Sequence, residues 1–140
     1  MMMKDVVAFT KLENLEDCKR YMDVMLAFYF QVIRFPEGGK CSSTLDDDRN
    51  IWIQQIFSMG CHFRSLLNGV GYHSGIDKMN PIIDPDVLFS VARRIYESVV
   101  VFDALFVNPK DADHQTILYN LFMAHGLAER LKDLDEVMKQ

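Results

Sequence analysis

Proline and glycine are scarce in this chain, with four and seven in 140 residues. They cluster around 36–39, 69–71, 75–85 and 108–109, so long stretches between the clusters carry no breaker. Cysteine is also scarce: Cys18, Cys41 and Cys61 make an odd count and no C-x-x-C. That excludes a disulfide framework and fits a reducing cytoplasm. The start, MMMKDVVAF, lacks the long apolar core of a secretory signal. No apolar run reaches membrane-spanning length, because Arg34, Arg64 and Asp103 interrupt the greasiest stretches. Excess positive charge is missing as well. Lys plus Arg is 15 against 20 for Asp plus Glu, a net charge of −5. Such a chain has no general attraction to nucleic acid or anionic membrane, and neither is expected as a partner. No internal repeat or composition shift divides the chain, so residues 1–140 read as one helical domain.

What is present is ordinary globular material, 49% hydrophobic and 25% charged. Nine Met and ten Phe are many for this length and suit irregular helical cores. Between the breakers lie four stretches of helical periodicity, at about 10–35, 44–69, 85–107 and 109–138. In the first, Thr10 and Glu13 have capping-box spacing, and Leu15, Cys18, Met22, Met25, Tyr29 and Val32 form one stripe. In the second, Thr44 reads as the N-cap, followed by Asp46, Asp47 and Asp48 where the helix dipole favours negative charge. Its stripe is Trp52, Ile56, Met59, Phe63, Leu66 and Val70, and Gln54, Cys61, Ser65 and Asn68 lie opposite.

Asp84 before Pro85 is a strong start signal for the third helix. Leu88, Val91, Ile95, Val99, Phe102 and Phe106 form its main stripe, while Val100, Val101, Ala104 and Val107 make the reverse face apolar too. A helix apolar on two sides is the centre of the domain or a subunit interface. The fourth helix, with Asn108 as N-cap, carries Ile117, Leu121, Ala124, Ala128, Leu131 and Met138 at heptad spacing broken by Asp135. Gly126 interrupts it, as though to admit another helix closely. Short links after the first and third helices make neighbours antiparallel. The fold class is therefore all-α, an antiparallel four-helix bundle. The segment between Gly69 and Asp84 reads as a mobile loop, a crossover or a lid.

Motifs that announce chemistry are missing. There is no Glu-x-x-His for a di-metal carboxylate site, and His125 with Glu129 supplies two ligands where a site needs more. These two read as a hydrogen-bonded pair. No metal and no cofactor is expected. Gly38-Gly39-Lys40-Cys41-Ser42 lacks the upstream glycine and the Ser/Thr of a P-loop, and the glycines from Gly69 to Gly75 lack dinucleotide-binding spacing. Cys61 and His62 point about 100° apart on a helix and do not pair directly.

The polar group that stands out is Arg93-Arg94-Ile95-Tyr96-Glu97. Either arginine can reach Glu97 along the helix, and on a central helix Arg94 and Glu97 would be partly buried and paired. The functional alternative is a ligand pocket of Arg94, Glu97, His125 and Glu129. The stretch from Arg93 through Asp103, with His125-Gly126-Leu127-Ala128-Glu129-Arg130, resembles a group of uncharacterised prokaryotic all-helical proteins. That resemblance covers the last third of the chain and implies a helical fold without an activity. A second helical group is the HEPN ribonucleases, marked by Arg followed by His after four to six residues. Here Arg64 and His73 are separated by eight intervening residues, a departure from that mark.

Three functions follow as expectations. The first is a helical interaction or assembly module, homo-oligomeric through Val100, Val101, Ala104 and Val107. The second is a HEPN-like nuclease or defence enzyme using Arg64, Arg94, Glu97 and His125, the arginines on phosphate and the histidine as acid or base. The third is a small-ligand pocket between helices lined by Met and Phe.

Overall fold

The structure, a computed structural model, describes residues 13–34 and 43–138, with side chains to Lys132. Thr10 and the 36–42 turn lie outside the described residues. The chain is all-α, with four long helices: α1 (Leu15–Arg34), α2 (Thr44–Leu66), α3 (Pro85–Phe102) and α4 (Ala112–Met138). Two two-residue strands, β1 (His73–Ser74) and β2 (Asp77–Lys78), are the strand pairing among the described residues. The chain divides into two compact units, Met1–Val99 and Val100–Gln140.

Each helix start rests on a side chain that satisfies the free N–H groups of the first turn. For α1 this is Asn14, whose Oδ1 accepts from Asp17 N at 2.9 Å. For α2 it is Ser43 rather than Thr44: Ser43 is extended, and its Oγ accepts from Asp46 N at 3.2 Å. Thr44 is the first helical residue. For α3 it is the expected Asp84, whose Oδ1 accepts from Asp86 N and Val87 N at 3.0 and 3.3 Å. For α4 it is Asp111 and not Asn108, with Asp111 Oδ1 accepting from His114 N at 2.8 Å. Asn108 is used one turn earlier. Its N–H bonds the Asp103 carbonyl at 2.9 Å, closing a π-helical turn over Asp103–Val107, and its side-chain amide bonds the Asp103 carboxylate. That wider turn ends the third helical run where the sequence places its end, at Val107.

In the first unit α1 and α2 pack antiparallel. Asp23 meets Arg64, Leu26 meets Gly60, and Tyr29 and Phe30 both stack on Phe57 at 5.9 Å, so the sequence numbers run in opposite directions. Gly60 is buried because a Cβ there would lie 3.0 Å from Leu26 Cδ2; its missing side chain is what admits α1. Ile56 and Leu67 are buried beside this contact.

The segment after α2, read from sequence as a mobile loop or lid, is a paired hairpin. Val70 bridges Ile82, and β1 pairs β2 antiparallel with Ser74 opposite Asp77. The two-residue turn is Gly75-Ile76, and Gly75 takes φ +56°, where a side chain would be strained. Gly69, at φ +78°, lets the chain leave α2 against Pro81.

The third helix is not a buried centre. None of the residues from Pro85 to Phe102 is buried, and Phe89, Tyr96, Val99 and Val100 are exposed. Its two apolar faces are each narrow, and each is only partly covered. In the second unit Leu105 is buried, Phe102, Phe106 and Tyr119 form a ring cluster, and Gln115 Nε2 donates to the Leu105 carbonyl at 3.1 Å.

Candidate functional site

The residues singled out by sequence are distributed as follows. Arg64 is fully engaged in the α1–α2 contact. Its Nε and Nη2 donate to the two carboxylate oxygens of Asp23 at 2.8 and 2.9 Å, and Nη1 donates to Asn68 Oδ1 at 3.2 Å. Two parallel charge-assisted bonds are the strongest geometry such a pair has. The Arg64 guanidinium holds the Asp23 carboxyl below the usual carboxylate range. Glu97 is taken by Arg93, with Nε to Oε1 at 2.7 Å, on the exposed side of α3. Arg94 and Glu97 are both exposed, so the expectation that they would be partly buried fails.

His125 and Glu129 lie on α4, in the second unit, and both are exposed. No bond joins them among the described residues, since the Glu129 carboxylate accepts from Lys132 Nζ at 2.8 Å. Gly126 has open space around it, with nothing within 4 Å of where a Cβ would stand. Val100, Ala104 and Val107, on one face of the α3 end and the π turn, are exposed, and Val101 is half-buried.

Arg94 is the exception. It faces a groove between α2 and α3, lined by Gln55, Ser58, Met59 and His62 from α2 and by Val91, Arg94 and Ser98 from α3. The hollow has a volume of about 460 Å³. No carboxylate pairs Arg94 among the described residues, and its one potential local partner, Glu97, is occupied by Arg93. The groove thus gathers one free guanidinium, an imidazole, two hydroxyls and a carboxamide. All but the guanidinium can donate or accept, and the guanidinium only donates.

The residues missed by sequence reasoning are Gln55, Ser58, His62 and Ser98. Their signal was available as the spacing 55, 58, 62, which puts one polar line on α2 beside the apolar stripe. Among the described residues no group of three His, Cys, Asp or Glu converges as a metal site would require, and no helix is long and apolar enough to cross a membrane. Comparison with known proteins adds no relative: no family model matches the chain, and no curated protein and no solved structure matches it.

Proposed function

We propose that this chain is a helical assembly module that pairs with a second copy of itself through the second unit. The observation that carries this reading is the apolar stripe of α4. Ile117, Leu121 and Leu131 are 57%, 63% and 63% exposed, and Ala124 and Ala128 between them are exposed too. The steps of four, three, four and three residues are those of a coiled-coil seam, which needs a facing helix with the same repeat. A second copy supplies that repeat by symmetry. The two alanines lower the middle of the seam and allow close approach. The charges of Glu129, Arg130 and Lys132 near the seam are of both signs. Val100, Ala104 and Val107 add a further exposed apolar face to the same unit.

Light scattering on the purified chain tests the reading. The expected mass is twice that of the 16.2 kDa chain. Leu121→Glu places a charge in the seam and is expected to give a monomer with unchanged helical content. A strict monomer of the unsubstituted chain at tens of micromolar would overturn the proposal.

A further inference from the structure

Two further hollows adjoin the Arg94 groove along α3. One is lined by Asp86, Val87, Ser90, Val91 and Arg94, and so shares Val91 and Arg94 with the first. The other is lined by Leu66, Val70, Met79, Ile82, Asp84 and Val87, and so shares Val87 with the second. The three hollows lie in series along α3, a row that reads as one groove. Its floor on α3 is 87, 91, 94 and 98, steps of four, three and four that keep to one helix face, with the N-cap Asp84 before them. Its two ends differ in chemistry. At the hairpin end the walls are Leu66, Val70, Met79, Ile82 and Val87. At the other end stand Arg94, His62, Ser58, Ser98 and Gln55.

We propose that this groove binds a single-tailed amphipathic monoanion, a free carboxylate of the fatty-acid class, with its head on Arg94 and its apolar tail over Val87, Ile82 and Met79. Among the described residues that line the groove, Arg94 is a guanidinium with no carboxylate partner, and its planar fork matches a carboxylate in two parallel hydrogen bonds. Ser58, Ser98 and Gln55 can complete the head group's bonds. The direction of binding is set by charge. The carboxylates of Asp84 and Asp86 lie toward the hairpin end, so a negative head is repelled there and attracted at Arg94. The Asp84 carboxylate is already committed to the first N–H groups of α3 and the Ser90 hydroxyl to the Asp86 carbonyl, so the tail meets Val87, Ile82 and Met79 with the exposed Asp86 at its side. One cation opposed by Asp86 suits a single negative charge better than a dianion. From Arg94 to Val87 is seven residues, about 10 Å along the helix, and Ile82 and Met79 extend the apolar wall beyond that.

Calorimetric titration of the full chain with decanoate, decanol and acetate, all below micelle concentration, tests this. Decanoate is expected to bind, with decanol at least tenfold weaker and acetate without measurable binding. Arg94→Gln is expected to weaken decanoate by about 10- to 100-fold, as loss of a charge-assisted hydrogen bond predicts, and to leave decanol unchanged. Arg20→Gln, on α1 and away from all three hollows, is expected to leave decanoate binding unchanged. Ile82→Asp is expected to weaken decanoate and decanol alike. Both arginines are solvent-facing, so far-ultraviolet dichroism will show both variants folded. No decanoate binding, equal loss from Arg20→Gln and Arg94→Gln, or decanol binding as tightly as decanoate would each overturn the proposal. The assembly reading stands or falls separately, because its measurement is mass and its residues lie on α4.

Discussion

In the first unit, each helix of the α1–α2 pair meets the other at several levels. Phe57 lies under Tyr29 and Phe30, Gly60 under Leu26, and Arg64 under Asp23. In the second unit, among the described residues, a 27-residue helix sets Tyr119 on Phe106 and bonds Gln115 to the carbonyl of the buried Leu105, and leaves a heptad stripe in solvent. Both helices are amphipathic. The difference teaches that periodicity states which face of a helix is apolar, and leaves open what covers it. Where the neighbour is the next helix in the chain, the face is satisfied within the unit. Where it is not, the face remains available to a second copy.

The largest expected effects come from truncating the two cores in parallel. Ile56→Ala and Leu105→Ala each remove a buried side chain, and each is expected to cost about 2–5 kcal/mol. If the units are energetically distinct, hydrogen exchange will separate them. Ile56→Ala is expected to speed exchange in α1 and α2, and Leu105→Ala in α4. The same exchange increase across both units in both variants would break the comparison, showing one cooperative block.

The helices were legible in the sequence because long periodic stretches bounded by breakers admit few other structures. Their caps were less so. At Ser43-Thr44 two adjacent residues can both cap, and the choice depends on which one is extended. At Asn108 and Asp111 it depends on a distant fact, that Asp103 already holds Asn108. The hairpin was illegible because two-residue strands show no alternation, although Gly75-Ile76 is an acceptable hairpin turn. The candidate site was half legible. Arg94 was singled out, but Arg93 and Arg94 both reach Glu97 in principle. Only the structure shows Arg93 taking it, which frees Arg94 for the groove.

The two helical glycines give the next effect. Gly126→Ala fills open space and removes flexibility from the unfolded chain, so a gain of about 0.5–1 kcal/mol is expected. At Gly60 the same gain is opposed by crowding against Leu26, where overpacking costs about 1–3 kcal/mol. A net loss of about 1 kcal/mol is expected there. Thermal melts of the two variants should therefore move in opposite directions. A rise in both would mean that α1 gives way easily and that the first unit is as loosely covered as the second.

The smallest effect is electrostatic and belongs to the first unit. The Asp23 carboxyl is held below its usual range, first by its hydrogen bond from Arg64 and then by the charge. Between the lowered folded value and the unfolded value near 4, the unfolded chain binds more protons, so stability rises with pH across that window. The contribution is complete above the unfolded value and is lost as pH falls through the folded one. Asp23→Asn keeps the shape of the side chain and removes the charge. It is expected to lower the melting temperature at pH 7 and to have progressively less effect as pH falls below about 4. The pair is solvent-facing, so added salt should shrink the difference at pH 7. The second unit contains no such bridge between helices among its described residues, only the one-turn pair of Glu129 and Lys132 on α4. Exchange protection in α1 and α2 should therefore depend on pH in this window more steeply than protection in α4. Equal pH dependence in both units would show that the Arg64–Asp23 bridge does not distinguish them, and that apolar packing alone separates the α1–α2 pair from α4.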